Sequence, residues 1–238
     1  MPTDMTTFDL VALLWFAVIW LVYTIGQDRP WSWAGGINHH LRRMRVIWIR
    51  RTLERDIRLM DSQLVGHTMN SVTFFASTTM LILAGLLGLL GNVDRIYAVA
   101  DRLTFTAKTS PELFETKLLM LVAIFIYAFF QFTWALRQFN YICAMIGSAP
   151  AAPLAPHHRD ALAETVATVM THAITALNGG LRAYYFALAV LTWFIHPWLF
   201  LVTSNLVVVI LVWRQLWSGA ARAINRHIEI LNGIERPD

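Results

Sequence analysis

The sequence predicts an all-α integral membrane protein, a five-span helical bundle with a cytoplasmic amphipathic, arginine-rich helix. Of its 238 residues, 57% are apolar and only 14% are charged, whereas soluble domains carry about 25% charged residues. Several apolar stretches come close to the roughly 20 residues that a helix needs to cross the hydrocarbon, and arginines are concentrated between them. These observations exclude an ordinary soluble enzyme and a disordered chain.

The first three spans follow from three apolar stretches, at about 9–25, 69–90 and 117–137. A chain in hydrocarbon must satisfy its own backbone hydrogen bonds, which a helix does. Asp4 and Asp9 stand where a secretory signal would carry basic residues. We therefore expect the first span to be retained as an anchor.

The last apolar stretch, Leu181 to Trp213, contains thirty-three residues and is too long for one span. A single helix of that length would measure about 50 Å, whereas the hydrocarbon core is about 30 Å thick. Pro197 lacks a backbone N–H and interrupts helices. We predict two spans, at about 181–195 and 197–214, joined by a turn. The alternative is one long helix with a kink.

The distribution of charge predicts the orientation. With five spans and the N-terminus outside, fifteen of the nineteen Lys and Arg residues fall on the cytoplasmic side, whereas four spans leave eleven there. Cytoplasmic loops carry an excess of Lys and Arg. We therefore expect a multi-pass protein of the bacterial inner membrane with its C-terminus in the cytoplasm.

The polar segment at about 38–65 has the periodicity of an amphipathic helix, with seven arginines on its polar face. Such a helix can lie on anionic lipid, or it can pack against the bundle or a neighbouring subunit. Nucleic acid is disfavoured, because no aromatic residues alternate with the arginines as they do in single-strand binding. We predict that Arg50, Arg51 and Arg55 contact anionic phospholipid or a partner protein.

Two smaller signals concern helix ends. Ser110 followed by Pro111 predicts the N-cap and the first residue of a helix that contains the third span. An Ala/Pro-rich connector precedes a second cytoplasmic helix at about 158–178. We expect this helix to end at Gly179-Gly180, because glycine commonly terminates helices.

The second span carries polar and small side chains that allow two interpretations. His67, Ser71 and Thr78 share one face. They predict either a polar pathway or hydroxyl groups that bond to their own helix. Glycines at every third position from Gly85 to Gly91 predict a close helix-packing face instead of a cofactor loop.

Polar groups near the third and fourth spans complete the set of candidates. Gln131 predicts an interhelical hydrogen bond or a ligand contact. Arg182 can reach a lipid phosphate or bind an anionic ligand, with Tyr184 beside it. The ligand or pathway candidates are Arg137, Asn140, Asn178, Arg182, Tyr184, Gln131, His67, Ser71 and Thr78.

The sequence contains no pattern for catalysis or for a cofactor. The histidines lack the spacings of metal ligands, and no nucleophile, base and orienting group come together. We therefore expect no enzymatic activity, no metal site and no cofactor.

Three stretches form recognisable motifs. They are Arg55–Leu64 with Ala76-Ser77-Thr78, Arg137–Tyr141 running to Gly147–Pro150, and Asn178–Phe186 followed by Trp193-Phe194 and Pro197. The chain resembles, over nearly its whole length, the bacterial and plant multi-pass membrane proteins of domain of unknown function 599. This resemblance implies a helical membrane protein without an established activity. It also implies importance for the motif residues Arg137, Asn140, Asn178, Arg182 and Tyr184.

Our first functional hypothesis is a homo-oligomer that conducts or transports a small polar or anionic solute. Its path begins at the arginines and amides of the cytoplasmic side. The alternative is an accessory or assembly subunit that holds a membrane partner or anionic lipid with the arginine-rich helix. No Asp or Glu lies in the hydrocarbon part of any predicted span, which argues against a transporter that uses buried carboxylates.

Overall fold

The computed structural model describes residues 5–28, 37–100 and 109–235. Within these ranges the chain forms eight α-helices and no strand. Their bounds are α1 Thr7–Asp28, α2 Ile37–Leu53, α3 Leu59–Leu90, α4 Val93–Ala100, α5 Pro111–Gly147, α6 Pro156–Trp193, α7 Pro197–Leu216 and α8 Gly219–Glu235. Of the Lys and Arg residues counted for the predicted orientation, Arg29, Arg102, Lys108 and Arg236 lie outside the described residues. Asp4, which argues against a secretory signal, also lies outside them.

Five helices in the described part of the chain are long and apolar enough to cross a membrane. They are α1, α3, α5, α6 and the helix that begins at Pro197. This confirms the predicted fold class of a helical membrane protein with five candidate spans. Helices α3, α5 and α6 contain 32, 37 and 38 residues. At about 1.5 Å per residue, each is longer than a hydrocarbon core of about 30 Å.

The helices contribute to two compact units. Unit 1 consists of Met1–Gly26, Phe75–Phe132 and Asn178–Ile210. Unit 2 consists of Gln27–Phe74, Thr133–Leu177 and Leu211–Asp238. Each unit has its own set of internal contacts.

Aromatic side chains form the core of unit 1. The ring of Phe16 in α1 packs against Phe186 of α6 and Phe200 of α7, with centroids 5.5 and 5.1 Å apart. Trp20 stacks on Phe186 at 5.0 Å. Aromatic pairs of this kind contribute about 0.5–1.5 kcal/mol beyond their buried area. The aromatic cluster therefore joins α1, α6 and α7.

The chain reverses direction between α6 and α7. Helix α7 begins at Pro197, where the missing N–H of proline costs nothing. The hydroxyl oxygens of Thr192 and Thr203 lie 2.7 Å apart, and Trp193 stacks on Phe200 with 5.2 Å between centroids. In one continuous helix, Thr192 and Thr203 would lie about 16 Å apart. The predicted turn is present, and the alternative of one kinked helix is wrong.

The prediction that a helix ends at Gly179-Gly180 is wrong, because α6 continues without a break. A Cβ atom at Gly180 would lie 2.5 Å from Cε1 of Phe132, whose side chain is fully buried. A Cβ atom at Gly179 would lie 3.2 Å from Cδ of Gln131. The two glycines therefore allow α5 and α6 to approach closely within unit 1.

Two other signals had opposite outcomes. Ser110 caps α5 as predicted, because its Oγ accepts a hydrogen bond of 3.3 Å from the backbone N–H of Leu113. The predicted glycine face of α3 does not pack against the described chain. A Cβ atom at Gly85 or Gly88 would have no neighbour within 4 Å, so no close contact with the described residues requires glycine there.

In unit 2, the apolar side of α2 packs against α8. Ile47 forms a buried cluster with Ile228 and Leu231, and Met44 lies against it. Leu53 at the end of α2 is also buried. Of the alternatives for the amphipathic segment, packing within the protein therefore accounts for these apolar side chains of α2.

Candidate functional site

Arginines of α2 in unit 2 face carboxylates near the start of α6. Nε of Arg50 lies 2.9 Å from Oδ1 of Asp160, and Arg42 donates a hydrogen bond to Glu164. The partners are partly exposed, so each pair contributes only about 0–1 kcal/mol. Together they align α2 with α6.

A buried carboxylate holds the turn between α2 and α3. Asp61, in the first turn of α3, is 1% exposed. It accepts a hydrogen bond from Nε1 of Trp48 at 2.7 Å and two from Nη1 of Arg55 at 3.0 and 2.9 Å. In one continuous helix, Trp48 and Asp61 would lie about 20 Å apart. The prediction of a single helix at about 38–65 is therefore wrong.

Arg58, in the same turn, binds the C-terminal end of α5. Its guanidinium group donates hydrogen bonds to the carbonyl oxygens of Ile146, Ala149 and Pro150 at 3.2, 3.1 and 2.8 Å. The last carbonyls of a helix have no partner within the helix, and a cation there is also favoured by the helix dipole. Arg58 therefore fixes the connector that follows α5.

A cavity of about 530 Å³ lies beside these arginines in unit 2. Its wall is mostly apolar and includes Ile47 of α2 and Met170 of α6. Three arginines also line it, namely Arg45, Arg51 and Arg55. Ligand pockets commonly have volumes of about 300–1,000 Å³, with an apolar wall and a few polar groups. The cavity has the size and composition of a ligand site.

Arg45 lies at this cavity with part of its guanidinium group unsatisfied. The residue is 7% exposed, and its Nε donates a 3.1 Å hydrogen bond to the carbonyl oxygen of Leu41. Its Nη1 is buried and has no hydrogen-bond partner among the described residues. Burial, and after it the charge of Arg42, lower the pKa of Arg45 to about 10. A buried donor without a partner costs about 1–3 kcal/mol.

The three arginines predicted to contact lipid or a partner have different surroundings. Arg50 is paired with Asp160, and Arg55 is paired with Asp61. Arg51 is exposed and lines the cavity together with Arg55. A role of these three residues in binding lipid or a partner stays a prediction.

Five of the nine predicted ligand or pathway residues belong to unit 1, namely Thr78, Gln131, Asn178, Arg182 and Tyr184. The hydroxyl of Tyr184 shares a 2.9 Å hydrogen bond with the hydroxyl of Thr79. Gln131 lies against Gly179, and Arg182 is 8% exposed. Asn178 and Thr78 are half-buried.

The other four residues, His67, Ser71, Arg137 and Asn140, are exposed in unit 2. Oγ of Ser71 donates a 3.2 Å hydrogen bond to the carbonyl oxygen of His67. This is the second of the two interpretations, in which the hydroxyl bonds to its own helix. Nε of Arg137 donates a 2.6 Å hydrogen bond to the hydroxyl of Tyr141. The predicted pathway residues are therefore not gathered in one unit.

Sequence reasoning missed a buried polar network in unit 1. Lys117 of α5 is 1% exposed, and Asp9 of α1 is 3% exposed. Nζ of Lys117 donates a 3.0 Å hydrogen bond to the carbonyl oxygen of Trp193, whose Nε1 donates a 2.8 Å bond to Oδ1 of Asp9. The ammonium also lies 5.3 Å from the centre of the Trp193 ring, within cation–π range. The sequence shows Asp9 at the start of the first apolar stretch and Lys117 at the start of the third. It does not show that the two residues belong to one network.

Comparison with protein families identifies the chain. Residues 10–220 match the model of a family described as protein of unknown function, DUF599. The chain belongs to DUF599. This confirms the resemblance carried by the three motifs. No curated protein and no solved structure matches this DUF599 chain.

Proposed function

We propose that this DUF599 protein is an accessory membrane protein without catalytic activity that binds anionic phospholipid through exposed arginines of unit 2. It resides in the bacterial inner membrane with unit 2 on the cytoplasmic side. Unit 2 carries fourteen of the nineteen Lys and Arg residues but nine of the fifteen acids. This excess is of the sign that anionic headgroups attract.

One observation carries the proposal: some arginines of unit 2 are paired with acids, and others lie exposed on its surface. Among the described residues, the acids that contact an arginine include Glu54, Asp61, Asp160 and Glu164. Further arginines are exposed, including Arg51, Arg137, Arg222 and Arg226. Each arginine near an anionic membrane surface contributes about 1 kcal/mol to binding.

The test compares lipids retained by the full chain in nanodiscs that contain phosphatidylcholine and phosphatidylglycerol, measured by native mass spectrometry. Replacing Arg222→Gln and Arg226→Gln together should lower the preference for phosphatidylglycerol roughly tenfold or more. Arg95→Gln is the matched control, because Arg95 is an exposed arginine of α4 in unit 1. A wild-type chain without preference for phosphatidylglycerol would contradict the proposal.

A second function, conduction or transport of a small polar or anionic solute by a homo-oligomer, is supported by one observation in unit 1. Arg182 of α6 is 8% exposed, and ionisable groups within membrane segments commonly mark solute pathways. Asn178 precedes it by one helical turn. Liposomes that contain the chain should pass chloride or phosphate, and Arg182→Gln should slow this flux. Impermeability of a folded oligomer to a broad panel of solutes would exclude this function.

A further inference from the structure

The cavity of unit 2 is lined both by apolar side chains and by arginines. Ile47, Phe139, Met170 and Leu231 supply an apolar wall. Arginines lie in the same wall, and none of the described residues that line the cavity is acidic. The cavity therefore offers an apolar surface and positive charge without an anion of its own.

Arg45 provides the second, independent observation. It is 7% exposed, and its buried Nη1 finds no hydrogen-bond partner in the described part of the chain. Buried charges in proteins are normally paired. The lowered pKa of Arg45, caused chiefly by burial, agrees with a cation that lacks a counter-ion. Neighbouring Arg55 already binds Asp61, so that carboxylate is engaged elsewhere.

Water alone does not fit both parts of this cavity. A water molecule in the cavity can accept a hydrogen bond from the guanidinium group of Arg45, which lines it, but it does not neutralise the guanidinium charge. The apolar part of the wall offers water no hydrogen bonds, and covering it with an apolar group is favourable. The occupant that matches both parts is an anion joined to an apolar chain.

We propose that this cavity binds a single-chain anionic amphiphile, with its carboxylate or phosphate on Arg45 and its acyl chain against Ile47, Met170 and Leu231. A volume of about 530 Å³ is that of a pocket for one drug-sized ligand, which suits one acyl chain and not a two-chain phospholipid. The inference deepens the proposed function, on which it rests, by naming the class of lipid that this cavity of unit 2 binds. A fatty acid and a lysophospholipid share this chemistry.

The binding experiment uses the purified full chain in detergent with four probes: palmitate, hexadecanol, palmitoyl lysophosphatidylglycerol and inorganic phosphate. Native mass spectrometry and calorimetry measure stoichiometry and affinity. We expect one molecule of at least one anionic amphiphile per chain, bound about tenfold or more tightly than hexadecanol, because a charged hydrogen bond is lost with the alcohol. Which of the two anions binds identifies the source. Equal affinity for hexadecanol, or equal affinity for phosphate alone, would overturn the proposal.

Variants separate the head and chain contacts. Arg45→Met should reduce affinity for the anionic amphiphile to that of hexadecanol, whereas Arg95→Met in unit 1 should not change it. Arg45→Met should also leave the thermal stability of the ligand-free chain unchanged or raised, because it removes a buried, incompletely paired charge. Unchanged affinity in Arg45→Met would overturn the proposal.

A second variant keeps the test decisive if Arg45→Met does not fold. Ile174→Trp adds volume to the cavity wall and retains Arg45, so it should abolish binding of both palmitate and hexadecanol. Undiminished binding in a folded Ile174→Trp chain would overturn the proposal. The Arg222→Gln and Arg226→Gln pair tests the surface separately. This pair should lose phosphatidylglycerol preference and keep amphiphile binding, because neither residue lines the cavity. A wild-type chain that binds the amphiphile without preferring phosphatidylglycerol contradicts the proposed function alone, and a wild-type chain with that preference that binds no amphiphile contradicts the cavity site alone.

Discussion

Unit 1 and unit 2 differ in their charged residues and in the hydrogen-bond partners of the buried ones. Unit 1 carries five Lys and Arg residues and six acids, whereas unit 2 carries fourteen and nine. In unit 1, Lys117, Trp193 and Asp9 satisfy one another through hydrogen bonds. In unit 2, many ion pairs are partly exposed, and Arg45 keeps a buried nitrogen without a partner. In unit 1 the buried lysine and aspartate are therefore linked through Trp193, whereas the described residues supply no such link for Nη1 of Arg45.

The largest effect is expected where the network of unit 1 is broken. Lys117→Ala should lower the free energy of unfolding by about 3–5 kcal/mol, because Asp9 is then a buried charge without a nearby cation. Unfolding by SDS titration in mixed micelles measures this. Asp94→Ala, at an exposed position of α4, is the control. A loss below about 1 kcal/mol would mean that this network contributes no more to the free energy of unfolding than an exposed ion pair does. That result would contradict the difference between the units.

A smaller effect is expected from Gly180→Ala in the same unit. The added methyl group meets the ring of Phe132, and such overpacking costs about 1–3 kcal/mol. Gly85→Ala is the matched control, because its methyl group would have no neighbour within 4 Å among the described residues. It should be neutral or stabilising by up to about 1 kcal/mol, since alanine favours helix. The same unfolding assay decides, and equal effects of the two substitutions would contradict the close approach of α5 and α6.

The smallest effect is expected at the ion pairs of unit 2. A double-mutant cycle with Arg50→Ala and Asp160→Ala should give a coupling energy of about 1 kcal/mol or less, because both side chains are partly exposed. The coupling should decrease further when the salt concentration is raised. If instead it exceeded about 2 kcal/mol and ignored salt, the pair would act as a buried ion pair.

Individual residues show how far sequence reasoning reached. Hydropathy located all five long apolar helices, and the turn at Pro197 followed from the length of one stretch. The break before Asp61 was missed, since a helical periodicity continues across it in the sequence. Gly180 was read as a helix end, although its role depends on the neighbouring Phe132. Arg45 did not stand out among seven arginines of one segment.

The sequence by itself determined the class of molecule, its apolar helices and its excess of arginine, because these depend on local composition and on the demands of hydrocarbon. The tertiary structure decided which polar groups find partners. Asp61 meets Trp48, and Lys117 meets Trp193. Arg45 lines an apolar cavity, and its Nη1 has no hydrogen-bond partner among the described residues. Those outcomes depend on which helix faces meet, and residues far apart in the chain decide them jointly.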